Sequence, residues 1–190
     1  MTAETVFSIL LGIGLAASVG FRVFVPLFAL SIASHFNVIP LNESWQWVGG
    51  MPAMITLGIA TVVEIASYLI PWLDHLLDTI AVPLAAIAGT AVMLSTAADL
   101  SPVVTWALAI IAGGGTATAI KVSTSTARLA STASTGGIAN PIVATVETGS
   151  SIVMSILSFV MPVLAIILVI IILWMMFKVS KWFRPKRSVQ

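Results

Sequence analysis

Between Gly113 and Glu147 the chain reads GGGTATAIKVSTSTARLASTASTGGIANPIVATVE. Three charged side chains, Lys121, Arg128 and Glu147, stand there among closely spaced Gly, Ser and Thr, and Asn140-Pro141 interrupts the run before apolar sequence resumes. Lipid satisfies neither a broken backbone nor a bare charge, so such a stretch must face protein or a water-filled cavity. That requirement constrains this chain more than any other feature.

It applies because the surroundings are apolar. The chain has 190 residues, 59% hydrophobic and 8% charged, with a mean hydropathy of +1.12. A soluble domain carries roughly 25% charged residues. The runs are long enough for membrane helices, so the predicted class is an all-α integral membrane protein. The absence of Cys excludes disulfides, thiolate catalysis and Cys-based metal sites. Residues 5–34 lack the basic leader of a signal peptide and read as a first membrane helix. The basic residues Lys178, Lys181, Arg184, Lys186 and Arg187 crowd residues 178–190, which read as a basic cytoplasmic tail.

Six spans are expected. The first, Thr5 to Ser34, carries Gly20, Arg22 and Pro26, which predict a kink or break at 20–26. A loop with Trp45 and Trp47 follows. The second span covers about Met51 to Ile70 and carries Glu64, and PWLDHLLD from Pro71 reads as a short connection. The third covers about Thr79 to Ala97, with a small face at Ala85, Ala86, Ala88, Gly89 and Thr90 suited to helix contact. The fourth, Val103 to about Ser134, enters the charged stretch. The fifth begins near Pro141, and the sixth covers Pro162 to Phe177. Six spans with a cytoplasmic C-terminus put both termini in the cytoplasm.

The halves 1–100 and 101–177 match weakly. GLAASVGFRV aligns with GGGTATAIKV, placing Arg22 on Lys121; ATVVE ending at Glu64 matches VATVE ending at Glu147; VPLAAI at Pro83 matches MPVLAI at Pro162. A base, an acid and a helix-starting proline recur in order. Three spans per unit make a 3+3 inverted-topology repeat, an architecture whose sites lie near the midplane between broken helices.

With GFR in the first span, K-x6-R in the fourth and GGIANPIVATVE in the fifth, the chain resembles the small bacterial membrane proteins of domain-of-unknown-function family 4126. The resemblance covers nearly the whole chain. It implies a bacterial inner membrane protein and supplies no activity.

The candidate site residues are Arg22, Glu64, Lys121, Arg128, Asn140 and Glu147. Charges inside a bilayer are costly and mark binding or gating, or else they pair and lock helices. The hydroxyls of Ser123, Thr124, Ser125, Thr126, Ser131, Thr132, Ser134 and Thr135 point to a lined cavity, against the plainer reading of close packing and bonding to their own helix. Gly113-Gly114-Gly115 and Gly136-Gly137 lack the following GK[ST] of a phosphate loop. Asp74-His75 with Asp78 reads as a polar interfacial turn rather than a metal site. No cofactor, metal or nucleic acid is expected.

The expected function is a small transporter or channel-like carrier for an anionic or zwitterionic solute, a lipid headgroup included. Three bases against two acids tilt the buried field positive. Depths along the helices predict two cross-repeat pairs in opposite leaflets, Arg22 with Glu147 and Lys121 with Glu64. An enzyme is not expected: predicted spans hold no Cys or His, and no paired-aspartate or Ser-His arrangement. The alternative is a non-catalytic membrane assembly or lipid-organising protein. A homodimer is expected, to shield buried charges, with the Ala85–Thr90 face as its contact.

Overall fold

The run at 5–34 breaks where its glycines, Arg22 and Pro26 predict, and the break governs the path of the chain. In the computed structural model, which describes residues 2–68, 70–98 and 100–182 and leaves aside the side chains of 71–76 and 179–182, the first helix α1 is Ala3–Phe21 and the second, α2, is Phe24–His35. The expected single kinked span is instead a helical hairpin. Residue contacts fix the direction of each arm. At one end of the bundle Ala98 N donates to Ser8 Oγ at 3.2 Å, and Asn42 N donates to the Ser95 carbonyl at 2.9 Å. The segment after α2 has therefore returned to the level at which α1 starts. Pro26 removes a backbone donor from the first turn of α2, where that donor needs no helical partner.

A 3-10 segment, Glu43–Gly49, leads into α3, Met51–Ser67, at a bend of 63°. Next comes α4, Pro71–Thr96. Pro71 opens this helix, so PWLDHLLD forms its first turns rather than a separate connection. Then α5, Pro102–Leu108, runs through a π-helical stretch, Ala109–Gly114, into α6, Gly115–Thr135. Gly136 and Gly137 take positive φ values of 64° and 91° and turn the chain. The last helices are α7, Asn140–Val160, and α8, Pro162–Trp182. Four helices among the described residues are long and apolar enough to cross a membrane, five if the bent pair counts as one span. Shorter are α2 and the described part of α8.

The core forms around α1, whose Leu15, Ala16, Ala17 and Val19 are fully buried, packed against α4, α6, α7 and α8. Ser18 Oγ meets the Ser151 carbonyl at 2.7 Å and Ser155 Oγ at 2.8 Å, joining α1 to α7. Small residues allow α4 and the π-helical stretch to touch: a Cβ on Gly113 would lie 2.5 Å from the Gly89 carbonyl oxygen. The small face of Ala85, Ala88 and Gly89 is consumed by this contact, so it is not the dimer surface expected from sequence.

The relative directions also correct the repeat. Gly12 and Gly113 both lie against Met93, and Gly20 lies against Ala117 and Ile120, so α1 and α6 run the same way. An inverted pair requires them to oppose; α2 supplies the extra pass that aligns them. Ser18 meets Ser151 and Ser155 while Gly14 meets Ser158, so α7 runs against α1. After one residue α8 starts back, its Ala165 beside Gly14. The path therefore starts α1 at one end of the bundle and finishes α8 at the other, in place of two termini on one side.

Candidate functional site

Five of the six candidate residues gather at the break between α1 and α2. A helix that stops leaves carbonyls without partners, and one that starts leaves N–H groups without partners. Lys121, 2% exposed, sends its Nζ to the carbonyl of Phe21 at 2.9 Å. Across the break, Glu64 accepts from Val23 N at 2.8 Å and from Phe24 N at 3.0 Å. A cation thus closes the negative end of α1 and an anion the positive end of α2, the polarity that helix dipoles favour. The expected Lys121–Glu64 pair is replaced by these two caps, because helix ends shut away from water need partners as much as the charges do.

Arg22 lies between them and is 1% exposed. Its Nε donates to Thr148 Oγ1 at 3.0 Å and its Nη2 to the Ala144 carbonyl at 2.9 Å. Nη2 also stands 3.7 Å from Glu147 Oε2, forming the expected Arg22–Glu147 pair. Glu147 is shared: Arg128 Nη2 donates to the same oxygen. Arg128 Nε lies 3.8 Å from Asp78 Oδ2. The Tyr68 ring carries both guanidinium groups, Arg22 at 3.7 Å and Arg128 at 4.3 Å from its centroid. Arg22 Nη1 has no hydrogen-bond partner.

The charges therefore share one level instead of occupying two leaflets. That level is about 28 Å along α1 at roughly 1.5 Å per residue, where α1 ends and α2 turns back. One chain buries Arg22, Glu64, Lys121, Arg128 and Glu147 to 7% exposure or less, so shielding them requires no second copy. Asp78 adds a third acid facing three bases, which cancels the positive tilt read from sequence.

Asn140 stands apart from the arginines. Its Nδ2 donates to Thr132 Oγ1 at 2.9 Å and ties the α6–α7 turn. The hydroxyl series follows its plainer reading: all but Ser125 and Ser131 bond back to carbonyls of α6, as Ser123 does to Ala119 and Thr132 to Arg128. Continuous with α5, α6 belongs to a 34-residue rod. At about 1.5 Å per residue it is longer than a hydrocarbon core of roughly 30 Å is thick. Asp74 and His75 lie outside the described side chains, and no metal-binding group of His, Cys, Asp and Glu occurs among the described residues.

Sequence reasoning missed Tyr68 and Asp78. Tyr68 is the chain's one tyrosine, four residues after Glu64 and so on the same helical face. That spacing was the available signal. Asp78 was assigned to a turn because Pro71 reads as a break.

Beside this cluster α3 stands away from α4. Between them lies a cavity of about 370 Å³ walled by Val23, Glu64, Ser67, Tyr68, Leu77 and Leu84. On the other flank of α3, against α2, a groove of about 580 Å³ is lined by Phe28, Ile32, Phe36, Met54 and Val62.

An all-helical bundle of membrane-spanning length, with a shielded charge cluster at a helix break, defines an integral membrane protein. Residues 9–182 match the family described as domain of unknown function DUF4126, and the chain belongs to it. No curated protein and no solved structure matches the chain.

Proposed function

We propose that the protein is a small carrier or channel-like protein of the bacterial inner membrane, taking an anionic or zwitterionic solute at the α1–α2 break. Arg22 Nη1 carries the reading: a guanidinium donor, 99% removed from solvent with its residue, left without a partner in a cluster whose other arms are bonded. Buried donors without partners are costly, and a lock built only for stability is better served by satisfying each one. A carboxylate or phosphate oxygen is the acceptor that suits it best. The inner-membrane placement rests on the family resemblance, and the basic tail puts the cluster's end of the bundle in the cytoplasm.

A ligand that binds the folded state raises its thermal stability. Purified protein heated with inorganic phosphate, glycerol phosphate, succinate, glutamate and choline should be stabilised by at least one of the anions or zwitterions. Arg22→Lys should lose that response. Equal, null responses to every solute contradict the proposal.

A second reading, a lipid-organising protein without transport, draws on a different observation. The cavity beside α4 and the groove beside α2 have exposed walls, Ile59, Val63 and Ile80, and these open towards the bilayer.

A further inference from the structure

We infer that the solute is a phospholipid, entering sideways from the bilayer between α3 and α4. The inference rests on the carrier reading above and names its substrate class. Ile59 and Val63 of α3 line both hollows, so together they form a ridge with an apolar trough on each side. The troughs, about 580 and 370 Å³, fall within the roughly 300–1,000 Å³ of ligand sites. Two apolar troughs divided by one ridge suit a molecule with two hydrocarbon chains.

The trough next to α4 carries the polar end. Its walls include Glu64, Ser67 and Tyr68, and the ring of Tyr68 is the platform on which Arg22 and Arg128 lie. The Glu64 carboxylate does not repel a phosphate as a free carboxylate would, because both oxygens accept backbone N–H groups at the start of α2. Tyr68 thus borders the trough and also underlies the guanidinium of Arg22, whose Nη1 has no partner. The cluster lies at the α1–α2 break beside the last turn of α3, and the α2–α3 groove extends from that side towards Phe36 and Met54. A phosphate at the arginine end with chains directed along α3 follows the orientation of a bilayer lipid. An ordinary water-soluble anion has no use for the apolar troughs.

The test uses the full chain, stripped of lipid in detergent and offered phosphatidylglycerol, phosphatidylcholine and diacylglycerol with identical chains. Native mass spectrometry should show one-to-one adducts, with both phosphate-bearing lipids favoured over diacylglycerol by fivefold or more. Ala60→Phe, which fills the trough beside α4 from the α3 side, should reduce those adducts at least fivefold. Arg22→Lys should remove the preference for phosphate while leaving diacylglycerol adducts. Equal binding of all three lipids, or lipid adducts unchanged by Ala60→Phe, overturns the inference. If soluble anions still stabilise Ala60→Phe as they do the parent, while neither protein shows phospholipid preference, the lipid assignment falls and the carrier reading stands. Phospholipid adducts sensitive to Ala60→Phe, with no lipid moved in vesicles, uphold the lipid site and remove the carrier.

Discussion

Lys121 donates to the carbonyl of Phe21 at 2.9 Å, and so a lysine of α6 caps the end of α1 a hundred residues earlier in the chain. Among the described residues it forms no ion pair. Lys121→Met keeps much of the side-chain length and removes the donor, leaving that carbonyl unsatisfied at a cost of about 1–3 kcal/mol. Unfolding in detergent should register the loss, and Lys121→Arg should recover part of it. Parent-like stability in Lys121→Met would show that the cap is idle.

Glu64 caps the start of α2, so its removal acts locally. Glu64→Ala frees the amides of Val23 and Phe24. Hydrogen exchange across residues 22–28 should accelerate well before exchange in α4 changes. Glu64→Gln, which keeps an acceptor, should lie between the two. Uniform acceleration over the whole chain would mean that Glu64 supports the bundle and not this one helix end.

Glu147 is the shared acceptor of Arg22 and Arg128. Glu147→Gln strands two cations in a low-dielectric site, and breaking such a buried pair costs about 3–5 kcal/mol. Pairing it with Arg128→Met should return part of that loss, giving a coupling of about 1–3 kcal/mol in a double-mutant cycle. Strict additivity would separate the two side chains energetically.

The hairpin at Arg22 makes a prediction about sidedness. Reporters fused at the start of the chain and in the loop at Glu43 should fall on the same, non-cytoplasmic side, with a reporter after the basic tail on the cytoplasmic side. Reporters at the two termini facing the same compartment would require α2 to continue α1 across the membrane.

Much of this was legible in the sequence, and the exceptions have physical causes. The breaks at 20–26, at 135–141 and near Pro162 follow from Gly and Pro, whose backbone preferences are local. Arg22 does pair with Glu147, but the depths that led to it assumed an inverted repeat the fold lacks, so only the opposite charges carried that expectation. Hydropathy has no direction, however, and a thirty-residue apolar run reads alike as a kinked span or a hairpin. That ambiguity hid α2, and with it the shared direction of α1 and α6 that excludes an inverted pair. Pro71 was read as a stop, although proline is well tolerated in a first turn, and Asp78 was lost to the cluster. The hydroxyls of α6 looked like a lining because sequence does not show whether a Ser or Thr bonds to its own helix.

In the proposed carrier, the cluster at the α1–α2 break receives a substrate's acceptor group through Arg22. Vesicles containing the purified protein and a phospholipid labelled on its headgroup test it most directly, by following loss of inner- or outer-leaflet label to a membrane-impermeant quencher. Movement between leaflets should exceed that of protein-free vesicles by tenfold or more, and fall at least tenfold in folded Arg22→Lys. Movement equal to that of empty vesicles, or undiminished in folded Arg22→Lys, would contradict the account.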